Sequence, residues 1–579
     1  MKNKSKDINL FAEQPLPKMD DTGKRRIVFS DILFWFLAIF LLFAYLGAKE
    51  IFGSEDRWAE IVRQMQITGD YFHPSINGKP YFDKPLLSYW LIALASAITG
   101  RLDEMVLRLP SAIAGLLVLF GTINLGKRLF SKQQAMTAGW VLLGTYGFVF
   151  WARLGEADME NLAAIILAVA WYWARRDRPG FFSYIVFYLI CFMGAHTKGM
   201  ATIAVPILVV LPDLIWEKRW KSYLSVSHFL ALALGLSLYL APFLYSEMTR
   251  TGYKTSGLGL AFRENIVRYF RPFDHKEPFY IFFYHLPRLL FPWIVLFVGA
   301  AWAFCGNFRQ LRWPAKWLAI STGLIFLFFT LSGSRRSYYI LPILPFCALM
   351  VSQYLVVEKK EKSKRIILGI QTWIFVVIMA LEILSPLLWP VLQKSIGFEA
   401  PGELRLATFI LGLLALICFI PNIFRASLLS RLLGTEQRLA RLIAICIIIV
   451  GGFFAWQQNS LETFETEKAF ILELKDYADT LGSDNIVFFK ILKPKILFYM
   501  EVPKPPSVLR NVTELGSLLN SKDDKWVLVS RSENSEEIAT VLSQEIFSNP
   551  ILQEKVYPWE KNKKIYQAWL INRAKDHNG

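Results

Sequence analysis

Thirteen apolar runs, each long enough to cross a bilayer as a helix, punctuate this chain and confine it to one class of fold. They centre near Leu41, Val118, Leu143, Leu167, Tyr188, Val209, Leu236, Val295, Ile325, Leu344, Val377, Leu413 and Ile447. Inside hydrocarbon every backbone N–H and C=O must find a partner within its own segment, so such runs span as α-helices. Composition agrees: 54% of the 579 residues are hydrophobic and 19% charged, against roughly 25% charged in soluble domains. The expected fold class is an all-α polytopic membrane protein of about 13 transmembrane helices, followed by a C-terminal soluble α/β domain. The first 29 residues are polar and basic, so the run from Ile32 to Ala48 reads as an uncleaved signal-anchor.

The net charge of +17 lies in short clusters between the apolar runs, not in one patch, which argues against nucleic acid as a partner. The clusters alternate. Lys2, Lys4, Lys6, Lys18, Lys24, Arg25 and Arg26 begin the series, and every second loop is again basic, from Lys127, Arg128 and Lys132 to Arg425, Arg431, Arg438 and Arg441. The positive-inside rule then places residues 1–30 in the cytoplasm and the remaining loops and C-terminus on the periplasmic side of an inner membrane. The expected division is 1–30, a transmembrane domain 31–456 with long outer loops 49–107 and 247–286, and a periplasmic α/β domain 457–579. The five cysteines all fall inside apolar runs without CxxC spacing, so neither a zinc site nor a disulfide framework is indicated.

Within the first outer loop, Trp58, Ile61, Val62 and Met65 form one stripe of a helix, which predicts an element lying in the membrane interface. Ser54 is its expected N-cap, with Glu55 and Asp56 in the first turn, where they need do no more than favour the helix dipole. Arg335 and Arg336 break the charge pattern. They occupy a short outer loop before Tyr338 and Tyr339, where guanidinium groups suit a lipid phosphate or anionic headgroups. Lys198 has apolar sequence on both sides, and a charge at that depth costs about 2.5–3.5 kcal/mol unless it has a partner or a function. The second long loop carries Asn265, Arg268, Arg271, His275, Lys276, Glu277, Tyr284 and His285.

The first loop resembles that of the GT-C polyprenyl-phosphate-dependent glycosyltransferases, in the aminoarabinose (lipid A) transferase branch related to protein O-mannosyltransferases. The likeness rests on Arg57-Trp58-Ala59-Glu60, Gly69-Asp70, Pro74, Asn77-Gly78 and Tyr81-Phe82-Asp83-Lys84-Pro85, then Tyr89 and Trp90. Arg108-Leu-Pro-Ser111, Asp158-Met159 and Lys198-Gly199 extend it, over roughly residues 30 to 360. One position departs: the branch has Asp-Glu where this chain reads Ser54-Glu55. The resemblance implies the GT-C fold and inverting sugar transfer from a polyprenyl phosphate to lipid A or another cell-envelope acceptor. It assigns the base to Glu55 or Asp56 and a second acid to Asp158. Arg57, Tyr81, Lys84, Arg335, Arg336 and Tyr338 would hold the donor phosphate. Asp83 and His275 match the positions of a divalent-metal pair in some relatives. Two alternatives stay open: a protein O-mannosyltransferase-like enzyme, and a lipid-linked sugar transporter or flippase. A transporter should show repeated halves and ionisable residues at mid-membrane, and Glu382 is the clear acid inside a span.

Overall fold

The computed structural model describes residues 21–572, apart from 83, 250–256, 273, 357–361, 421–425, 434, 436, 523, 558–559 and 561–562. It is a helical membrane protein capped by a small mixed sheet. Each of the thirteen expected centres falls on a helix, but the helices are not uniform spans. Among the described residues six are long and apolar enough to cross a bilayer alone, including Glu104–Leu129, Val226–Met248 and Trp313–Leu331. Two more spans are bent pairs: Lys132–Leu143 with Tyr146–Ala152 at 70°, and Ile281–Leu289 with Ile294–Gly306 at 117°. The expected run around Leu143 is thus a broken helix, interrupted at Gly144 and Thr145. Shorter apolar helices, such as Phe181–Ala195 and Ala201–Trp216, complete the bundle. Packing is tight where side chains are smallest. A Cβ on Gly126 would lie 2.9 Å from the Ala135 backbone and from Leu349, so glycine lets three helices meet.

The contacts sort the loops into two ends. At one end Arg176 reaches Asp213 at 2.7 Å, Arg219 reaches Asp177 at 2.7 Å, Trp313 donates to Asp213 at 2.6 Å and Lys132 pairs with Asp31 at 2.7 Å. These are basic loops of the alternating series, gathered on one side. The long outer loops and the tail meet at the other.

The tail carries five strands in the order 507–509, 486–489, 526–531, 566–571 and 552–553, the first two pairings parallel and the last two antiparallel. Its helix Pro494–Met500 packs on the first-loop helix Glu55–Thr68 in one apolar cluster that joins Trp58, Ile61 and Val62 to Ile496 and Leu497. The amphipathic stripe therefore faces protein, not lipid. A stripe has the same sequence pattern whether a bilayer or a docked domain covers it. Charges pin the joint. Lys495 bonds Glu50 at 2.5 Å and Glu467 at 3.1 Å, Tyr499 donates to Glu104 at 2.8 Å, and Arg63 donates to the Val502 carbonyl at 2.9 Å. Lys495→Ala leaves Glu50 buried without its cation and should loosen the joint by roughly 3 kcal/mol. Limited proteolysis between residues 457 and 466 should then accelerate, and an unchanged cleavage rate would count against this docking.

Candidate active site

The helix Glu55–Thr68 begins at Ser54, but the Ser54 side chain makes no cap bond. Its backbone N–H instead donates to Glu156 Oε1 at 3.2 Å. Glu55 has 0% exposure, and its carboxylate is fully committed. Arg108 Nε and Nη2 each donate at 2.8 Å, the Gly155 N–H at 2.5 Å and the Phe52 N–H at 2.8 Å. A carboxylate offers about four acceptor positions, and these four donors take them. Of the two acids expected as the base, Glu55 is thus held in a buried ion pair with Arg108, a partner 53 residues away. Asp56 is half-buried beside it. Burial raises its carboxyl above the ordinary range, while Arg57, Lys493 and Lys495 pull the other way.

The segment after the broken helix brings two further acids. Glu156 is buried, and burial together with the neighbouring Asp158 lifts its carboxyl to about 7. Asp158 opens the helix Asp158–Arg175 and pairs through Oδ1 with Lys198, so it is more than a helix-end residue. Lys198 lies 4.5 Å from the Tyr338 ring centroid and 5.5 Å from that of Tyr339. This answers the cost of a lysine in apolar sequence: burial alone would lower its pKa, and Asp158 with the two tyrosines raises it. The raised Glu156 value has a stability consequence. The proton-bound form is favoured in the folded state, so this contribution is present below about pH 4.5 and is lost as pH rises through about 7. Glu156→Gln should flatten the fall in unfolding free energy between pH 5 and 8 by an amount on the order of 2–3 kcal/mol. A slope equal to that of the parent protein would refute the assignment.

Asp158 and Lys198 line a cavity of about 760 Å³. Lys84, Glu264, Arg268 and Tyr338 add to its polar lining, and Met200, Ala204, Phe328, Phe329, Leu331 and Leu341 are among its apolar residues. Lys84 arrives through a two-stranded hairpin, Ser75–Ile76 with Lys79–Pro80. Asn77 and Gly78 turn it with φ of 52° and 67°, the left-handed pair that Asn-Gly adopts readily. The second loop is tied in by Asn265, which accepts from the Met200 N–H at 2.8 Å and packs on Gly199. A Cβ at Gly199 would collide with the Asn265 side chain, and its φ of +150° also suits glycine. Arg268 is held by Glu264 at 2.6 Å, Asp274 at 2.7 Å and Ser334 at 3.1 Å, and Lys84 lies 4.0 Å from Glu264.

Arg57 donates to the Tyr81 hydroxyl at 2.8 Å, and Arg336 to the Tyr338 hydroxyl at 2.8 Å and to His275. Arg57 and Arg336 are near enough to oppose each other's charge. Of the expected cations, Arg336 reaches Tyr338, Arg57 lies near Arg336 and Lys84 lines the cavity, with one exception to the grouping. Arg335 spends its guanidinium on the Thr330 carbonyl at 3.1 Å and the Glu277 carbonyl at 2.6 Å, which is loop-holding work away from the cavity. Of the suggested metal pair, His275 accepts from Arg336, and Asp83 lies outside the described residues. Among the described residues no group of three or more His, Cys, Asp or Glu side chains suits a metal ion. Sequence reasoning missed Glu156 and Glu264 altogether, because an acid flanked by ordinary loop residues carries no local signal.

Residues 83–245 match the family described as dolichyl-phosphate-mannose-protein mannosyltransferase. An undecaprenyl phosphate-alpha-4-amino-4-deoxy-L-arabinose arabinosyl transferase of Pseudomonas paraeruginosa is 28% identical over 373 residues, covering 62% of this chain and 65% of the relative. The corresponding protein of Aeromonas salmonicida is 29% identical over 413 residues, covering 67% and 72%. The match thus spans about 65% of the length of the Pseudomonas relative. Among solved structures, ArnT from Cupriavidus metallidurans bound to undecaprenyl phosphate superposes with a TM-score of 0.70 at 19% identity, covering 93% of this chain and 97% of that one. The chain shares the fold of that structure, the GT-C fold. Its GT-C fold is a multi-pass membrane bundle with the candidate site on the side of the long loops and the tail.

Proposed function

We propose that this protein is an inner-membrane glycosyltransferase that moves 4-amino-4-deoxy-L-arabinose from undecaprenyl phosphate to lipid A at the periplasmic face. The observation that carries the reading is one cavity lined both by cations, Lys84, Lys198 and Arg268, and by apolar side chains, Phe328, Phe329 and Leu331. A polyprenyl phosphate has the same two-part chemistry. Its phosphate would meet Lys84, Lys198, Arg268 and Tyr338, supported by Arg336 on Tyr338 and by Arg57 on Tyr81, and its chain would follow Phe328, Phe329 and Leu331. Fixed cations stabilise the negative charge that builds on a departing phosphate. Asp158 borders the same space and supplies a carboxylate to orient and deprotonate the acceptor. Asp56 stands second in that role, and Glu55 holds the frame. Asp83 and His275 remain the proposed pair for a divalent ion, which would add positive charge at the phosphate. The N-terminus is cytoplasmic in this reading, with thirteen crossings and residues 457–579 as a periplasmic domain.

The match to the mannosyltransferase family favours one second reading, transfer to serine or threonine of a protein. Both are tested by mass spectrometry of lipid A and of envelope proteins from cells with and without the gene. The lipid reading expects an aminoarabinose mass increment on lipid A that vanishes with the gene. Its persistence, or the loss of protein glycans instead, would overturn that reading.

A further inference from the structure

We propose a second phosphate-binding site, distinct from the donor cavity, where Lys49 and Arg153 face each other across a cleft closed by Phe150, Phe454 and Gln458. Arg153 follows the helix Tyr146–Ala152 and donates to two carbonyls, Leu41 at 2.8 Å and Tyr45 at 3.4 Å. No carboxylate lies within ion-pair distance of it among the described residues. Burial, and then the nearby Arg108, draw its pKa down to about 10. The Glu55 carboxylate lends no compensation, since it is paired with Arg108. Lys49 has its ammonium 4.1 Å from the Phe52 ring centroid. The acids that face it are Glu462 and Glu465, neither in ion-pair contact among the described residues, and burial lifts Glu462 to about 7. Two half-buried cations sharing one cleft with one neutralised neighbour call for an anion.

The shape of the cleft narrows the choice. Its volume of about 20 Å³ admits one water-sized atom. A sugar ring does not enter, but one oxygen of a tetrahedral oxyanion does. Beside it Tyr146 stacks on Phe150 and on Phe454 at 5.8 Å, and Tyr45 and Phe52 stand 63% and 46% exposed at the same edge. An aromatic rim at a membrane boundary suits acyl chains. The ligand class is therefore a lipid phosphate, carried either by the acceptor lipid or by a glycerophospholipid. Residues 153–158 lead from this cleft to Asp158, so an acceptor phosphate held here would fix the acceptor relative to the donor cavity.

The test is native mass spectrometry of the full-length protein in detergent, titrated with dioleoyl phosphatidic acid and with dioleoylglycerol, which has the same chains and no phosphate. The parent protein should take up two phosphatidic acid molecules and no dioleoylglycerol at matched concentration. Arg153→Gln and Lys49→Gln should each weaken one uptake by roughly tenfold or more, while Lys84→Gln weakens the other. Competition with lipid A and with its dephosphorylated form identifies the source. Displacement by lipid A at tenfold lower concentration marks the acceptor, equal displacement marks a headgroup, and both uphold the site. Uptake unchanged in folded Arg153→Gln and Lys49→Gln proteins, or equal uptake of dioleoylglycerol, overturns it.

Discussion

Asp158→Asn should reduce the turnover of lipid-linked sugar roughly 100- to 10,000-fold, the range lost when a general base is removed. The amide keeps the volume but gives up the charge that pairs with Lys198 and the oxygen that would accept the acceptor's proton. Two effects are separable. If Asp158 serves the chemistry, kcat falls in protein that is still folded, beyond whatever stability is lost when Lys198 keeps only Tyr338 and Tyr339 within 6 Å of its ammonium. If it serves only to neutralise Lys198, the melting temperature falls while kcat of the folded protein is kept. Turnover of folded Asp158→Asn within tenfold of the parent protein would end the case for Asp158 as the base.

Glu55→Ala should be the most destabilising of the single changes considered, at about 3–5 kcal/mol, because it leaves the Arg108 guanidinium buried without its anion. Arg108 has 1% exposure and also donates to the carbonyls of Leu46, Lys49 and Glu50. Losing its orientation would therefore release the chain that leads into the first-loop helix. Thermal unfolding in detergent measures the loss. Replacing both partners by apolar residues, Glu55→Leu with Arg108→Met, should recover a large part of it, since a matched apolar pair has no charge to desolvate. Single variants within 1 kcal/mol of the parent protein would show that the pair is not structural.

The membrane architecture was legible because the bilayer imposes one length and one hydrogen-bonding rule on every crossing, and both are written in local sequence. Lys198 and Arg336 were legible for the related reason that a charge out of place in such a pattern needs a partner. Other features were hidden by distance along the chain. Nothing near Glu55 announces Arg108, and the same two letters, Ser-Glu at a helix start, describe both a solvent cap and a closed ion pair. Arg335 and Arg336 are adjacent and alike in sequence, yet one holds loop carbonyls and the other faces Tyr338. The first-loop stripe was read as facing lipid because periodicity gives the orientation of a helix but not the identity of what covers it.

The charged joint between the tail and the first loop has a mechanical consequence. With Lys495, Tyr499 and Arg63 all bridging the same seam, the sheet and the wall carrying Arg57 are coupled as one rigid block. The segment bearing Asn265 and Arg268 is fastened independently of that seam, through Met200 and Ser334, so the two loops that border the cavity are anchored to different parts of the chain.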